Sequence, residues 1–124
     1  MTRAFVNAHC ARLPGAEVSD PWGGGHDAWK VGGKLFALVG SMELGVSVKT
    51  ADPETAALLI ELGQAERAPY LHASWVRVPW GLASDEDLAR RLDISYDLIR
   101  ARLPKRTQAA LPPRSAAAGS EAEG

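Results

Sequence analysis

The sequence predicts an α+β fold, with an antiparallel sheet meander packed by an N-terminal helix, a middle helix and a C-terminal helical segment. Two observations carry most of this. Gly32-Gly33 sits between two strand-like runs, Ala28-Trp29-Lys30-Val31 and Lys34-Leu35-Phe36-Ala37-Leu38-Val39, where a two-residue turn needs positive φ. Leu88, Leu92, Tyr96, Ile99 and Leu103 recur at helical spacing and mark the longest regular element.

Taken in chain order, Thr2 to Leu13 reads as a short helix with Thr2 as N-cap, closed by Pro14-Gly15. A short strand over Ala16 to Pro21 and the glycine turn Trp22-Gly23-Gly24-Gly25 follow. After the hairpin, Leu44, Val46 and Val48 alternate with Gly45, Ser47 and Lys49, as in a half-buried strand. Asp52-Pro53-Glu54 is a strong helix start: a capping acid, proline at the first helical position and a carboxylate near the positive end of the dipole. Ala56, Leu59 and Ile60 form its apolar face, and Gly63 closes it. Trp75-Val76-Arg77-Val78 alternates again as a strand limited by Pro79. Ser84 caps the last long helix, although Asp93 and Ser95 could cap a second helix near Tyr96, leaving one helix or two open.

The expected division is a single domain over 1–106 and a mobile tail over 107–124. Beyond Leu111 the tail has no large apolar residue to offset its ordering entropy. A chain of 124 residues supports one core rather than two, and no apolar run reaches the roughly 20 residues that span a bilayer. Asn7, His9 and Arg12 interrupt any signal-like apolar stretch at the start, so a cytoplasmic location and no membrane partner are expected. Cys10 is the only cysteine, which precludes an intrachain disulfide and fits a reducing compartment.

Seven phrases then stand in a recognisable order: Leu13-Pro14-Gly15, Pro21-Trp22-Gly23, Trp29 to Ala37, Val46-Ser47-Val48-Lys49-Thr50, Ala68-Pro69-Tyr70-Leu71, Trp75-Val76 and Ser95-Tyr96-Asp97-Leu98-Ile99. From about Ala4 to Lys105 the chain resembles the MmcQ/YjbR family of small bacterial proteins. The resemblance implies a compact α+β fold topologically related to the frataxin-like fold. It also implies a DNA-binding role through a double-wing arrangement of hairpins, and it supplies no catalytic residue set.

Read directly, the residues offer little chemistry for catalysis. His9, Cys10, His26 and His72 have no recognised zinc spacing, and Thr2 to Leu13 lacks the acids a frataxin-type iron helix would need, so no metal or cofactor is expected. Cys10 and the serines at 19, 41, 47, 74, 84 and 95 sit in no nucleophile signature, and neither glycine run is a phosphate loop. A formal net charge of -1 gives no global pull toward polyanions, so nucleic acid must be met by a local patch.

Two patches qualify. Lys30, Lys34, Lys49 and Arg77 would form one if the strands bring them to a single solvent face; Arg100, Arg102, Lys105 and Arg106 form the other on the C-terminal helix. DNA is therefore the leading partner. The alternative is an interaction module for a small anionic ligand or a protein, with Trp22, Trp29, Tyr70, Trp75 and Tyr96 lining a pocket near Lys30 or Lys34.

Overall fold

The computed structural model describes residues 2–114. Its elements run α1 (Arg3–Ala11), β1 (Ala16–Ser19), β2 (Asp27–Val31), β3 (Lys34–Val39), β4 (Gly45–Lys49), α2 (Pro53–Glu61), β5 (Glu66–Arg67), β6 (Trp75–Pro79), α3 (Asp85–Ala101) and α4 (Lys105–Ala110). The strands form one six-stranded sheet in the order β1-β2-β3-β4-β6-β5, and every neighbouring pair is antiparallel.

Local chemistry sets three of the four helix starts as expected. Thr2, Asp52 and Ser84 each accept a hydrogen bond from the backbone N–H three residues on, with Pro53 at the first turn of α2. Gly32 and Gly33, at φ 56° and 81°, make the left-handed two-residue turn between β2 and β3. A bulge follows at once: Trp29 pairs with Ala37 and Lys30 with Leu35, so Phe36 is the extra residue on β3.

The helices α1 and α3 cover one face of the sheet. Arg3 of α1 binds Asp27 at 2.5 Å, Asn7 donates to the same Asp27 oxygen at 2.9 Å, and the Trp29 indole donates to Asn7 at 2.8 Å. Phe36 meets Tyr96 of α3 edge-on, with ring centroids 5.4 Å apart, an arrangement worth about 0.5–1.5 kcal/mol beyond its burial. Val6 and Cys10 of α1, Val31, Val39, Val46, Val48 and Val76 of the sheet, and Leu88 and Leu92 of α3 complete this core.

Several details depart from the sequence-based expectations. The alternation in β4 suggests a half-buried strand, yet all five of its residues are buried: Val46 and Val48 by the core, Ser47 between Leu38 and Arg77, Lys49 against Ser74, and Gly45 under the β6 backbone. A Cβ on Gly45 would collide with the Val78 carbonyl oxygen. In α2, Ala56 and Leu59 face inward, whereas Ile60 is 39% exposed and leaves the expected apolar face. The third helix runs unbroken from Asp85 to Ala101, because Asp93 and Ser95 turn their side chains to tertiary partners instead of capping: His9 for Asp93, Phe36 and Lys49 for Ser95. β5, two polar residues paired with β6, had no pattern to announce it.

The boundary drawn after Arg106 falls inside α4. Leu111 packs against Gly15 and the core, Arg100 donates to the Pro112 carbonyl at 2.8 Å, and Arg114 pairs with Asp97 at 2.9 Å. One apolar anchor and two arginine contacts thus hold the segment through Arg114 to the domain. The rest of the expected tail, 115–124, lies outside the described residues.

Candidate functional site

Strand alternation decides where the basic residues of the sheet can point. Asp27, Trp29 and Phe36 face α1 and α3, so Ala28, Lys30, Leu38, Ser47, Lys49 and Arg77 belong to the opposite face. Lys34, opposite Val31 at the end of the hairpin, does not join them. The expectation of one open basic face over Lys30, Lys34, Lys49 and Arg77 is therefore not met.

Nor are the members of that face equally available. Lys49 is buried, and its Nζ donates to Ser74 Oγ at 2.7 Å; burial, then the charge of Arg102, holds its pKa below the ordinary lysine value. Arg77 spends its Nε on Glu66 at 2.7 Å. Arg100 donates to the Tyr96 hydroxyl at 2.7 Å and to the Pro112 carbonyl. Lys30 is half-buried and lies directly across from Glu17 of β1.

Of the other four, Lys34 and Arg102 meet elsewhere, with Lys105 and Arg106 close behind Arg102 in the chain. The tip of the β2–β3 hairpin rests on the α3–α4 junction: a Cβ on Gly32 would stand 2.6 Å from Leu103 Cδ1 and 3.1 Å from Thr107 Cγ2. That contact brings Lys34 beside Arg102, and the two line a cleft of about 390 Å³ with Leu35, Ile99 and Leu103. Lys105 and Arg106 open α4 immediately beyond. Lys34, Arg102, Lys105 and Arg106 are exposed, and among the described residues none of them has a carboxylate partner. This corner joins the two basic patches that the sequence presents separately.

The five aromatic residues expected around one pocket are not brought together. Trp29, Trp75 and Tyr96 are buried in the core, where the Tyr96 hydroxyl donates to the Pro14 carbonyl. Trp22, 60% exposed, lies edge-on to His26 at 4.9 Å between centroids, and Tyr70 is fully exposed. On the open sheet face, Leu38, Ser47 and Arg77 stand in cross-strand register and floor a groove of about 230 Å³, rimmed by His26, Met42, Leu44, Pro69 and Tyr70.

One constellation escapes sequence reasoning altogether. Ser74 N–H donates to His72 Nδ1 at 3.1 Å, so that nitrogen is an acceptor, and the Ser74 hydroxyl 2.8 Å away donates to it while accepting from Lys49. The His-x-Ser spacing is visible in the chain, but Lys49 reaches it only through β4–β6 pairing. His72 is exposed, but Ser74 is only 1% exposed and its hydroxyl is held between His72 and Lys49, so the serine is closed to a substrate and the trio serves to pin the 72–75 loop. Cys10 is likewise no reactive group, since burial pushes its thiol pKa well up. His9 pairs with Asp93 and His26 lies by Asp20; among the described residues no three of His, Cys, Asp or Glu converge as metal ligands, and no helix is long and apolar enough to cross a membrane.

The family model YjbR matches residues 11–98, which hold all six strands, α2 and most of α3. The chain belongs to the YjbR family. Among solved structures, this YjbR protein is similar to Deinococcus radiodurans protein DR2400, described as a DUF419 domain, at 25% identity and a TM-score of 0.76 over 87% of this chain and 86% of that one. No curated protein matches the sequence significantly. The YjbR match spans β2, β3 and most of α3, but stops short of Arg102, Lys105 and Arg106, so the helical half of the basic corner lies outside the matched region.

Proposed function

We propose that this YjbR protein is a cytoplasmic binding protein, rather than an enzyme, that holds DNA weakly and mainly through phosphates. The observation that carries the reading is the corner at which the docked β2–β3 hairpin sets Lys34 beside Arg102, with Lys105 and Arg106 next to them and no described carboxylate neutralising any of the four. Cations without internal partners keep their charge and hydrogen-bond donors for an external anion, whereas Lys49 and Arg100 donate inside the protein and the charge of Arg77 is offset by Glu66. With few phosphate contacts and a net charge of -1, affinity belongs in the non-specific range of about 10⁻⁴–10⁻⁶ M.

Fluorescence anisotropy of labelled duplex DNA at low salt tests the reading. The wild type binds, and Lys34→Glu combined with Arg102→Glu removes binding without lowering thermal stability. Binding undetectable at low salt, or unchanged in the double variant, would overturn it.

A further inference from the structure

The groove on the open sheet face is built differently from the basic corner. Glu43 and Tyr70, at φ 51° and 66°, are the two non-glycine residues with positive φ among the described residues, and both border this groove. A β-carbon in that region carries a backbone cost, and such residues persist where the surroundings hold them. Here the Glu43 carbonyl accepts from the Trp80 indole and its carboxylate lies 3.2 Å from Arg3. At Tyr70 the same conformation leaves the whole ring in solvent, and Trp22 beyond His26 is the second exposed aromatic surface.

The floor offers donors. Arg77 uses only its Nε on Glu66, so its two Nη groups have no hydrogen-bond partner among the described residues, and the Ser47 hydroxyl has none either. Leu38 on the floor and Pro69 on the rim give its apolar surface. A recess of about 230 Å³ suits one planar ring system rather than a run of side chains, and its donors suit ring nitrogen and carbonyl acceptors. Lys30 shares this face, two residues along β2 from Ala28, which pairs with Leu38; that places it about 7 Å from the groove row, within reach of a neighbouring phosphate.

We infer that this groove takes one unpaired base of a single-stranded nucleic acid, with Tyr70 and Trp22 as stacking surfaces, Arg77 and Ser47 as donors to the base edge and Lys30 on the adjoining phosphate. The inference rests on the nucleic-acid reading of the basic corner and adds a preference that phosphate contacts alone do not produce. A base held in a duplex stack cannot enter the recess, whereas a splayed one can.

The test uses three fluorescein-labelled ligands at low salt: oligothymidine, its duplex with oligoadenosine, and an abasic strand of the same length. The wild type should bind oligothymidine about tenfold tighter than the other two. Tyr70→Gly, which removes the ring while suiting a positive φ, and Trp22→Ala should each bring oligothymidine toward the abasic level and leave abasic binding unchanged. Equal affinity for the three ligands, or oligothymidine binding unmoved by Tyr70→Gly, overturns the groove assignment. If Lys34→Glu with Arg102→Glu abolishes all binding while the aromatic variants change nothing, the groove fails and the corner stands. If no ligand binds the wild type, both fall.

Discussion

Replacing Ser95 by Ala removes a hydroxyl that stands in for a rung of the sheet. Beyond the Ala37–Val48 pair, the β3–β4 ladder would next join Phe36 to Lys49. Instead the Ser95 hydroxyl donates to the Phe36 carbonyl at 2.6 Å and accepts from the Lys49 N–H at 2.8 Å, bridging the strands where the Phe36 bulge opens them. Ser95 is fully buried, so Ala would leave one backbone acceptor and one donor unsatisfied. Each such group costs about 1–3 kcal/mol, and Ala recovers about 0.5 kcal/mol of helix propensity, so a net loss of about 1.5–5.5 kcal/mol is expected. At about 4 °C per kcal/mol for a domain of this size, the melting temperature should fall by about 6–22 °C. Urea and thermal unfolding followed by circular dichroism measure this, with Ser84→Ala as reference: that exposed cap should cost about 1 kcal/mol. Should Ser95→Ala cost no more than Ser84→Ala, the strands must be closing to pair Phe36 with Lys49 directly, and the bridging account is wrong.

Two further substitutions probe the hairpin dock and the clamp on α1. Gly33→Ala meets open space and should lose about 1–2 kcal/mol to left-handed strain alone, whereas Gly32→Ala also collides with Leu103 and should lose more while weakening DNA binding, which equilibrium unfolding and anisotropy on both variants will separate. Asp27, held below the ordinary carboxylate pKa chiefly by its Arg3 hydrogen bond, contributes stability that is present above the unfolded-state value near 4 and is lost as pH falls through the lower folded value. Asp27→Asn should therefore cost about 1–2 kcal/mol at neutral pH, with the gap to wild type closing in acid below about pH 4; a gap independent of pH would remove the ion pair from the account.

What the chain discloses and what it withholds divide along the range of the interactions. Thr2, Asp52 and Ser84 were legible as caps because their bonds reach only three residues ahead, and Gly32-Gly33 was legible because a two-residue turn is a local conformational demand. Ser95 looked like a cap for the same reason and is not one, since its partners lie on β3 and β4. For Lys49, alternation tells which residues share its face and not what covers that face; Ser74, from the 72–75 loop, holds its ammonium. Leu111, a single apolar residue, gave no periodicity to suggest that the chain beyond Arg106 packs on Gly15. Each half of the basic corner was visible as a run of charge, but their union depends on Gly32 meeting Leu103, a contact between residues 71 positions apart in the chain.

The corner is tested most directly by the salt dependence of duplex DNA binding. If Lys34, Arg102, Lys105 and Arg106 each neutralise one phosphate, log K falls with log salt at a slope of about -3.6, and affinity drops roughly 100-fold between about 50 and about 200 mM. Lys105→Gln should reduce that slope by about one. A slope near zero, or one that Lys105→Gln and Arg102→Gln leave untouched, would contradict the corner as the site of contact.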